Sequence, residues 1–289
     1  MEAKVWVPSG LPCVSSLDVA EYNLSDWKSC TATPKVLFLN LMPEKEVTEM
    51  DIVRTLSHCG VTCQVIPVKI RGQKYKTTSQ SHMETFYLDF EEFESDYFER
   101  MIITGAPLEQ MPFEEVRYWK QLQHIMHWAD KHVRSTLYIC WGAQAGLYEH
   151  YSVPKYPLND KMFGIFYQQV IKPASPLMQN LSPSFFMPNS RHTEVRKADI
   201  LSKEEDGLQL LALSEESGVG VMADSTCRRV FIVGHLEYNA NTLDNEYKRD
   251  LSKHLPIKAP RHYYDKNGKP MFQWRNDAIT FYRNWMTLN

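Results

Sequence analysis

Apolar positions recur along this chain in two patterns, short continuous runs and stretches of helical spacing, and the two alternate. Residues 36–41, Val36-Leu37-Phe38-Leu39-Asn40-Leu41, form a nearly unbroken apolar run, the pattern of a strand covered on both faces. Over residues 48–58, Met50, Ile52, Val53 and Leu56 fall near helical spacing and the pattern stops at Gly60, while residues 64–68 return to a β-rich composition. The order is strand, helix, strand. Residues 69–83 are polar and basic and read as a mobile loop, and Met101-Ile102-Ile103-Thr104 is another short strand, ending in Gly105-Ala106-Pro107. Val116, Trp119, Leu122, Ile125 and Met126 share one stripe of an amphipathic helix over residues 113–129, followed by the strand Thr136-Leu137-Tyr138-Ile139. Further strands are predicted near residues 164–170, 208–213, 219–223 and 229–233, and helices near 243–254 and 278–286.

This alternation predicts an α/β fold, a doubly wound and mostly parallel sheet flanked by helices, with the second half adding strands to the same body. No Pro/Gly/Ser-rich linker divides the chain, so residues 1–289 read as one domain, with residues 1–33 as an irregular N-terminal segment.

Composition narrows the function. With 43% hydrophobic and 23% charged residues the chain falls among ordinary globular proteins. Its 32 basic and 35 acidic side chains are interspersed, with no basic block to follow a phosphate backbone, so nucleic acid is not an expected partner. The first eleven residues lack the basic and apolar regions of a secretory signal, and no apolar stretch is long enough to span a bilayer. The expected location is cytoplasmic, with no membrane partner. Six scattered cysteines, Cys13, Cys30, Cys59, Cys63, Cys140 and Cys227, suit reduced thiols. Cys59 and Cys63 have no neighbouring Cys or His pair to complete a zinc site and read as small buried thiols.

Chemistry concentrates at two strand ends, where open parallel sheets collect ligands. In Ile139-Cys140-Trp141-Gly142-Ala143-Gln144-Ala145-Gly146 a thiol occupies a strand-to-helix turn followed by small residues that let the backbone bend sharply. A helix N-terminus favours the thiolate, and the backbone N–H of Trp141 and its neighbours can hold an oxyanion. A buried structural cysteine is the plainer alternative. In Val230-Phe231-Ile232-Val233-Gly234-His235-Leu236-Glu237-Tyr238 an apolar strand runs into a histidine with a glutamate two residues on, which extended backbone places on the same side. Glu237 can then fix the imidazole tautomer while His235 takes a proton from Cys140 or from an acceptor hydroxyl.

With these residues in hand, the sequence resembles the homoserine O-acyltransferases, also called homoserine trans-succinylases, which share the class I glutamine amidotransferase fold. The likeness runs from about Val36 to Trp285. It is carried by Leu39-Asn40-Leu41-Met42-Pro43, Ile103-Thr104-Gly105-Ala106-Pro107, residues 115–119, residues 139–148, Ser190-Arg191-His192-Thr193-Glu194, and Gly234-His235 with Glu237-Tyr238. The resemblance implies that Cys140 becomes acylated, that His235 is the general base, that Glu237 orients it, and that Lys161, Ser190 and Arg249 line the substrate site. Glu246 and Arg249, three apart on a predicted helix, share a face and can grip the ammonium and carboxylate of an amino acid; a surface ion pair is the alternative.

Acyl choice is expected to turn on Glu109, two residues after Pro107. Relatives that use succinyl-CoA have glycine at this place and glutamate marks acetyl-CoA users. A second carboxylate there repels the distal carboxylate of a succinyl group and shortens the pocket. The expected reaction takes acetyl from acetyl-CoA, a cosubstrate with no permanently bound cofactor and no metal, to the hydroxyl of L-homoserine through an acyl-cysteine, in methionine biosynthesis. The oxyanion is expected at backbone N–H groups of Trp141 and Ala106. The basic residues of 69–76 can steer the phosphates of coenzyme A, or form a solvated loop.

Three departures from the family pattern are Glu44-Lys45 in place of paired lysines, Leu236 in place of proline, and a rewritten N-terminal segment. They keep open a serine O-acetyltransferase feeding cysteine biosynthesis, since a pocket separates alcohols one methylene apart by only about 1–3 kcal/mol. Succinyl-CoA as donor and a glutaminase of the amidotransferase class are further alternatives; for the latter, Tyr138 stands where glutaminase elbows place glycine. Related enzymes are commonly homodimers, so a homodimer is an expected partner arrangement.

Overall fold

The computed structural model describes residues 3–288; the first two residues of the N-terminal segment and the last of the expected 1–289 domain lie outside the described residues. The chain forms β1 (Val5–Pro8), β2 (Ala20–Tyr22), β3 (Lys35–Leu39), α1 (Lys45–Ser57), β4 (Cys63–Lys69), α2 (Gln80–Phe86), β5 (Leu88–Asp89), β6 (Phe98–Ile103), α3 (Trp119–His132), β7 (Val133–Ile139) and α4 (Trp141–Tyr151). The second half continues with β8 (Tyr156–Val170), β9 (Ser184–Glu194), α5 (Lys197–Leu201), β10 (Leu208–Ser214), β11 (Gly218–Asp224), β12 (Arg229–Ile232), α6 (Thr242–Ser252) and α7 (Arg275–Met286).

All twelve strands among the described residues join one sheet in the order β2-β1-β4-β3-β6-β7-β12-β11-β10-β8-β9, with β5 beside β4. From β2 to β12 the pairings are parallel, and from β12 to β9 they are antiparallel. The apolar runs explain the parallel part: β3, β6 and β7 have both faces covered, so nearly every side chain is buried. One core layer holds Ile52, Val53 and Leu56 of α1 against Phe281 and Trp285 of α7. The opposite layer holds Leu122, Ile125 and Met126 of α3 with Ala143 and Leu147 of α4. Strand order reverses between β3 and β6, which opens a crevice at their carboxyl ends.

Several expectations need correction. The first 33 residues are not wholly irregular: β1 and β2 extend the sheet beyond β4, with Val5 paired to Cys63 and Trp6 to Ala20. Strands of four and three residues are too short to carry a readable period, and the ladder of β1 comes from β4, distant in the chain, with β2 added to β1. Residues 69–83 are less loop than expected, since Lys69 ends β4 and Ser79 caps α2 by accepting from the His82 N–H. The helix expected over 113–129 is shorter at its start: Phe113–Glu115 is a 3-10 turn, Val116 is extended, and α3 begins at Trp119. The strand β9 escaped the pattern because Pro188 and Asn189 interrupt it, which an edge strand tolerates.

Candidate active site

Cys140 ends β7 and opens α4, and this junction explains its geometry. The residue has φ 54° and ψ −118°, a strained conformation for a side chain bearing a Cβ. Its N–H donates to the carbonyl of Ile232 on the neighbouring β12 at 2.7 Å, and its own carbonyl accepts from Gln144 at 3.1 Å. Small residues make the turn fit. A Cβ on Gly142 would stand 2.5 Å from the Thr104 carbonyl oxygen, and one on Gly146 would stand 2.9 Å from the rings of Phe231 and Tyr138. Gly105 faces the thiol itself: its missing Cβ would lie 3.6 Å from Cys140 Sγ and 3.5 Å from the Trp141 nitrogen. As first residue of α4, Trp141 has an N–H with no acceptor a turn earlier, and Ala106 follows at the adjacent β6 end.

The partner strand brings the imidazole. Ile139 of β7 is in register with Ile232 of β12, so the residues after each strand emerge side by side. The His235 N–H donates to the Pro188 carbonyl of β9 at 2.8 Å, an approach that requires glycine at 234, where a Cβ would lie 2.5 Å from that same oxygen. Nδ1 of His235 donates to Glu237 Oε1 at 2.7 Å, and Cys140 lies close enough to the ring to act on its charge. All three groups are nearly buried, with exposures of 6% for Cys140, 3% for His235 and 4% for Glu237. Burial works to lower the His235 pKa, but the neighbouring Cys140 and Glu237 side chains outweigh it and hold the imidazole well above its ordinary value.

The four residues expected to bind substrate also meet. Glu246 of α6 accepts from Lys161 Nζ of β8 at 2.6 Å and from the Ser190 hydroxyl of β9 at 2.7 Å through the same oxygen. Arg249 stands 3.8 Å from that oxygen and bonds more closely to Asp250, at 2.9 Å. The Glu246–Arg249 pair is thus part of a partly buried network rather than an isolated surface ion pair. Tyr238 joins this network to the triad: its ring stacks on His235, and the charges of Glu246, Glu237 and Cys140 all act on it. Glu109 lies on a partly exposed turn after Ala106, at the same rim of the sheet.

Two contributors carried no role in the sequence reading. Tyr238 was visible only as part of a motif, since stacking on His235 depends on the turn after β12. Arg191 is 2% exposed and within electrostatic reach of Cys140, yet bonds to Asn189, Thr193 and Ser217 oxygens instead of a carboxylate. Burial lowers its pKa to about 10. The departures Lys45 and Leu236 are both buried, and Lys45 Nζ donates to the carbonyls of Asn40 (2.7 Å) and Met42 (2.8 Å), tying the end of β3. Cys59 and Cys63 are buried thiols, and burial raises Cys59 to about 12. His127, Asp130 and His150 gather potential metal ligands within 4.8 Å, but both oxygens of Asp130 accept from Arg229, from Nε and Nη2 at 2.7 Å each, which places a fixed cation there. No helix among the described residues is long and apolar enough to cross a membrane.

Residues 19–289 match the family model described as homoserine O-succinyltransferase. A protein of Bacteroides fragilis named homoserine O-acetyltransferase is 45% identical over 287 residues, covering 97% of this chain and 93% of that one. One of the same name from Parabacteroides distasonis is 49% identical over 255 residues, covering 87% and 82%. Among solved structures, a glutamine amidotransferase from Thermotoga maritima superposes with a TM-score of 0.56 at 13% identity, covering 87% of this chain and 95% of that one, a likeness of fold. A glutamine amidotransferase from Methylobacillus flagellatus does so with a TM-score of 0.52 at 10% identity, covering 87% and 92%. A class I glutamine amidotransferase-like sheet, a thiol elbow and a match along nearly the whole sequence lead to one assignment: the chain belongs to the homoserine O-succinyltransferase family of acyltransferases.

Proposed function

We propose that this member of the homoserine O-acyltransferases moves an acetyl group from acetyl-CoA to the hydroxyl of L-homoserine through a thioester on Cys140. The observation that carries the reading is that a Cys140–His235–Glu237 triad and a Lys161–Ser190–Glu246–Arg249 cluster both act on Tyr238, whose ring stacks on His235.

The chemistry divides into two halves. Cys140 sulfur, as the thiolate, attacks the thioester carbonyl of acetyl-CoA; the oxyanion is met by the N–H groups of Trp141 and Ala106, and coenzyme A leaves as its thiol after taking the proton from His235. The acceptor hydroxyl then attacks the Cys140 acetyl thioester, His235 takes its proton, and collapse releases O-acetylhomoserine and the thiolate. Glu237 keeps Nδ1 protonated and leaves Nε2 for both transfers. The Glu246 carboxylate suits the substrate ammonium, and Arg249 its carboxylate, each exchanging an internal partner for the ligand.

Glu109 and the names of the similar proteins support acetyl as the donor group. Release of coenzyme A followed with acetyl-CoA or succinyl-CoA against L-homoserine and L-serine tests the reading. The highest kcat/KM is expected for acetyl-CoA with L-homoserine; a clear preference for L-serine or for succinyl-CoA overturns that part.

A further inference from the structure

The turn that carries Glu109 is tied down by a side chain from another part of the chain. Lys155 lies between α4 and β8, and its ammonium donates to the carbonyls of Glu109 at 2.5 Å and Met111 at 2.6 Å, with the Leu108 carbonyl at 3.4 Å. The turn closes on itself through Leu108 N–H to Ala106 O at 2.8 Å and Met111 N–H to Leu108 O at 3.1 Å. Carbonyl dipoles aimed at one point repel one another unless a cation sits there, and an ammonium has three donors to meet them.

The same ammonium stands 4.4 Å over the ring of Phe113, a buried side chain whose ring lies 5.8 Å from that of Trp141. Lys155 therefore connects the turn of residues 108–111 to the residue next to the nucleophile. Burial lowers its pKa to about 8, against the opposing pull of Glu109 and Glu114. Pro107 and Gln110 are exposed and Leu108 is partly buried against the core, so these bonds act together with that contact to set where the Glu109 backbone stands.

We propose that Lys155 is a specificity-positioning residue, which clamps the 108–111 turn and thereby fixes Glu109 where it discriminates between acyl donors. The inference rests on the donor reading above. It predicts an effect on the acyl-CoA half-reaction and none on acceptor binding, because the Glu246 cluster shares no contact with Lys155.

The test is a cycle of variants assayed with acetyl-CoA and succinyl-CoA at saturating L-homoserine. Lys155→Met keeps the stem and removes the donors; it should lower the acetyl over succinyl ratio of kcat/KM about tenfold, the scale of one or two lost polar contacts. KM for L-homoserine should stay at its wild-type value, and Lys155→Arg, which keeps charge and donors, should restore most of the ratio. In a Glu109→Gly background, Lys155→Met should change the ratio no further, since its effect runs through Glu109. If thermal unfolding shows Lys155→Met to be unfolded, Lys155→Gln takes its place in the same cycle. A wild-type ratio in the folded Lys155 variant, beside a Glu109→Gly that does shift it, overturns the clamp alone. Equal effects in both backgrounds overturn it too. An unshifted ratio in Glu109→Gly removes the donor reading, and the clamp with it.

Discussion

The imidazole of His235 lies flat against the ring of Tyr238, with centroids 4.0 Å apart and planes 11° from parallel. Glu237 fixes one edge of the imidazole and Tyr238 covers a face, so the ring is held in position toward Cys140 before substrate arrives. Tyr238→Phe keeps the stacked surface and should retain activity within about threefold, whereas Tyr238→Ala should lower kcat by about 10- to 100-fold with smaller changes in KM. Steady-state kinetics of the two variants separates ring packing from any role of the hydroxyl.

Glu237→Gln should reduce kcat by about 10²–10⁴-fold, because an amide no longer enforces the productive tautomer. The pH dependence follows from the raised folded-state pKa of His235. A raised value means that protonated His235 stabilises the fold fully below its unfolded pKa, near 6.5, and that this contribution is lost as pH rises through the folded value. Removing the Glu237 charge shrinks the shift. The Tm difference between wild type and Glu237→Gln should therefore be largest near pH 6 and fade toward high pH, and NMR titration should find the His235 pKa lower in the variant.

Glu246→Ala removes the carboxylate shared by Lys161 and Ser190. Losing a charge-assisted contact to substrate costs about 1.5–3 kcal/mol, so kcat/KM for L-homoserine should fall roughly 10- to 150-fold. KM for acetyl-CoA and the rate of enzyme acylation should remain at wild-type levels. Acylation slowed in parallel would place Glu246 in the wrong half-reaction.

The elbow also makes a stability prediction. Gly142→Ala forces a methyl group to 2.5 Å from the Thr104 carbonyl oxygen, where backbone rather than a flexible side chain must move. The cost should be about 1–3 kcal/mol, read as a lower urea midpoint, with activity reduced because the junction that holds Cys140 shifts.

Much of this arrangement was legible in the sequence because it depends on continuous local patterns. The apolar runs that became β3, β6, β7 and β12 are buried on both faces, and each announced a strand end at which chemistry collects. Cys140 and His235 could be paired in advance because each follows such a run. Features set by distant partners were less legible. The strand β1 borrows its ladder from β4 and β2 from β1, and β9 carries Pro188 on a sheet edge. Lys161 and Ser190 came from family likeness, and their common attachment to Glu246 emerges only when β8, β9 and α6 pack together. Lys155, in an irregular connection, has no periodicity to mark it.

The acyl-enzyme itself is the most direct measurement. Wild-type protein incubated with acetyl-CoA alone should gain the mass of one acetyl group, mapped by peptide mass spectrometry to Cys140. L-homoserine should then discharge it as O-acetylhomoserine, and Cys140→Ala should acquire no adduct and show no turnover. An active wild-type sample that never carries acetyl on Cys140 under rapid quench, or a Cys140→Ala variant that still turns over, would contradict transfer through this thiol.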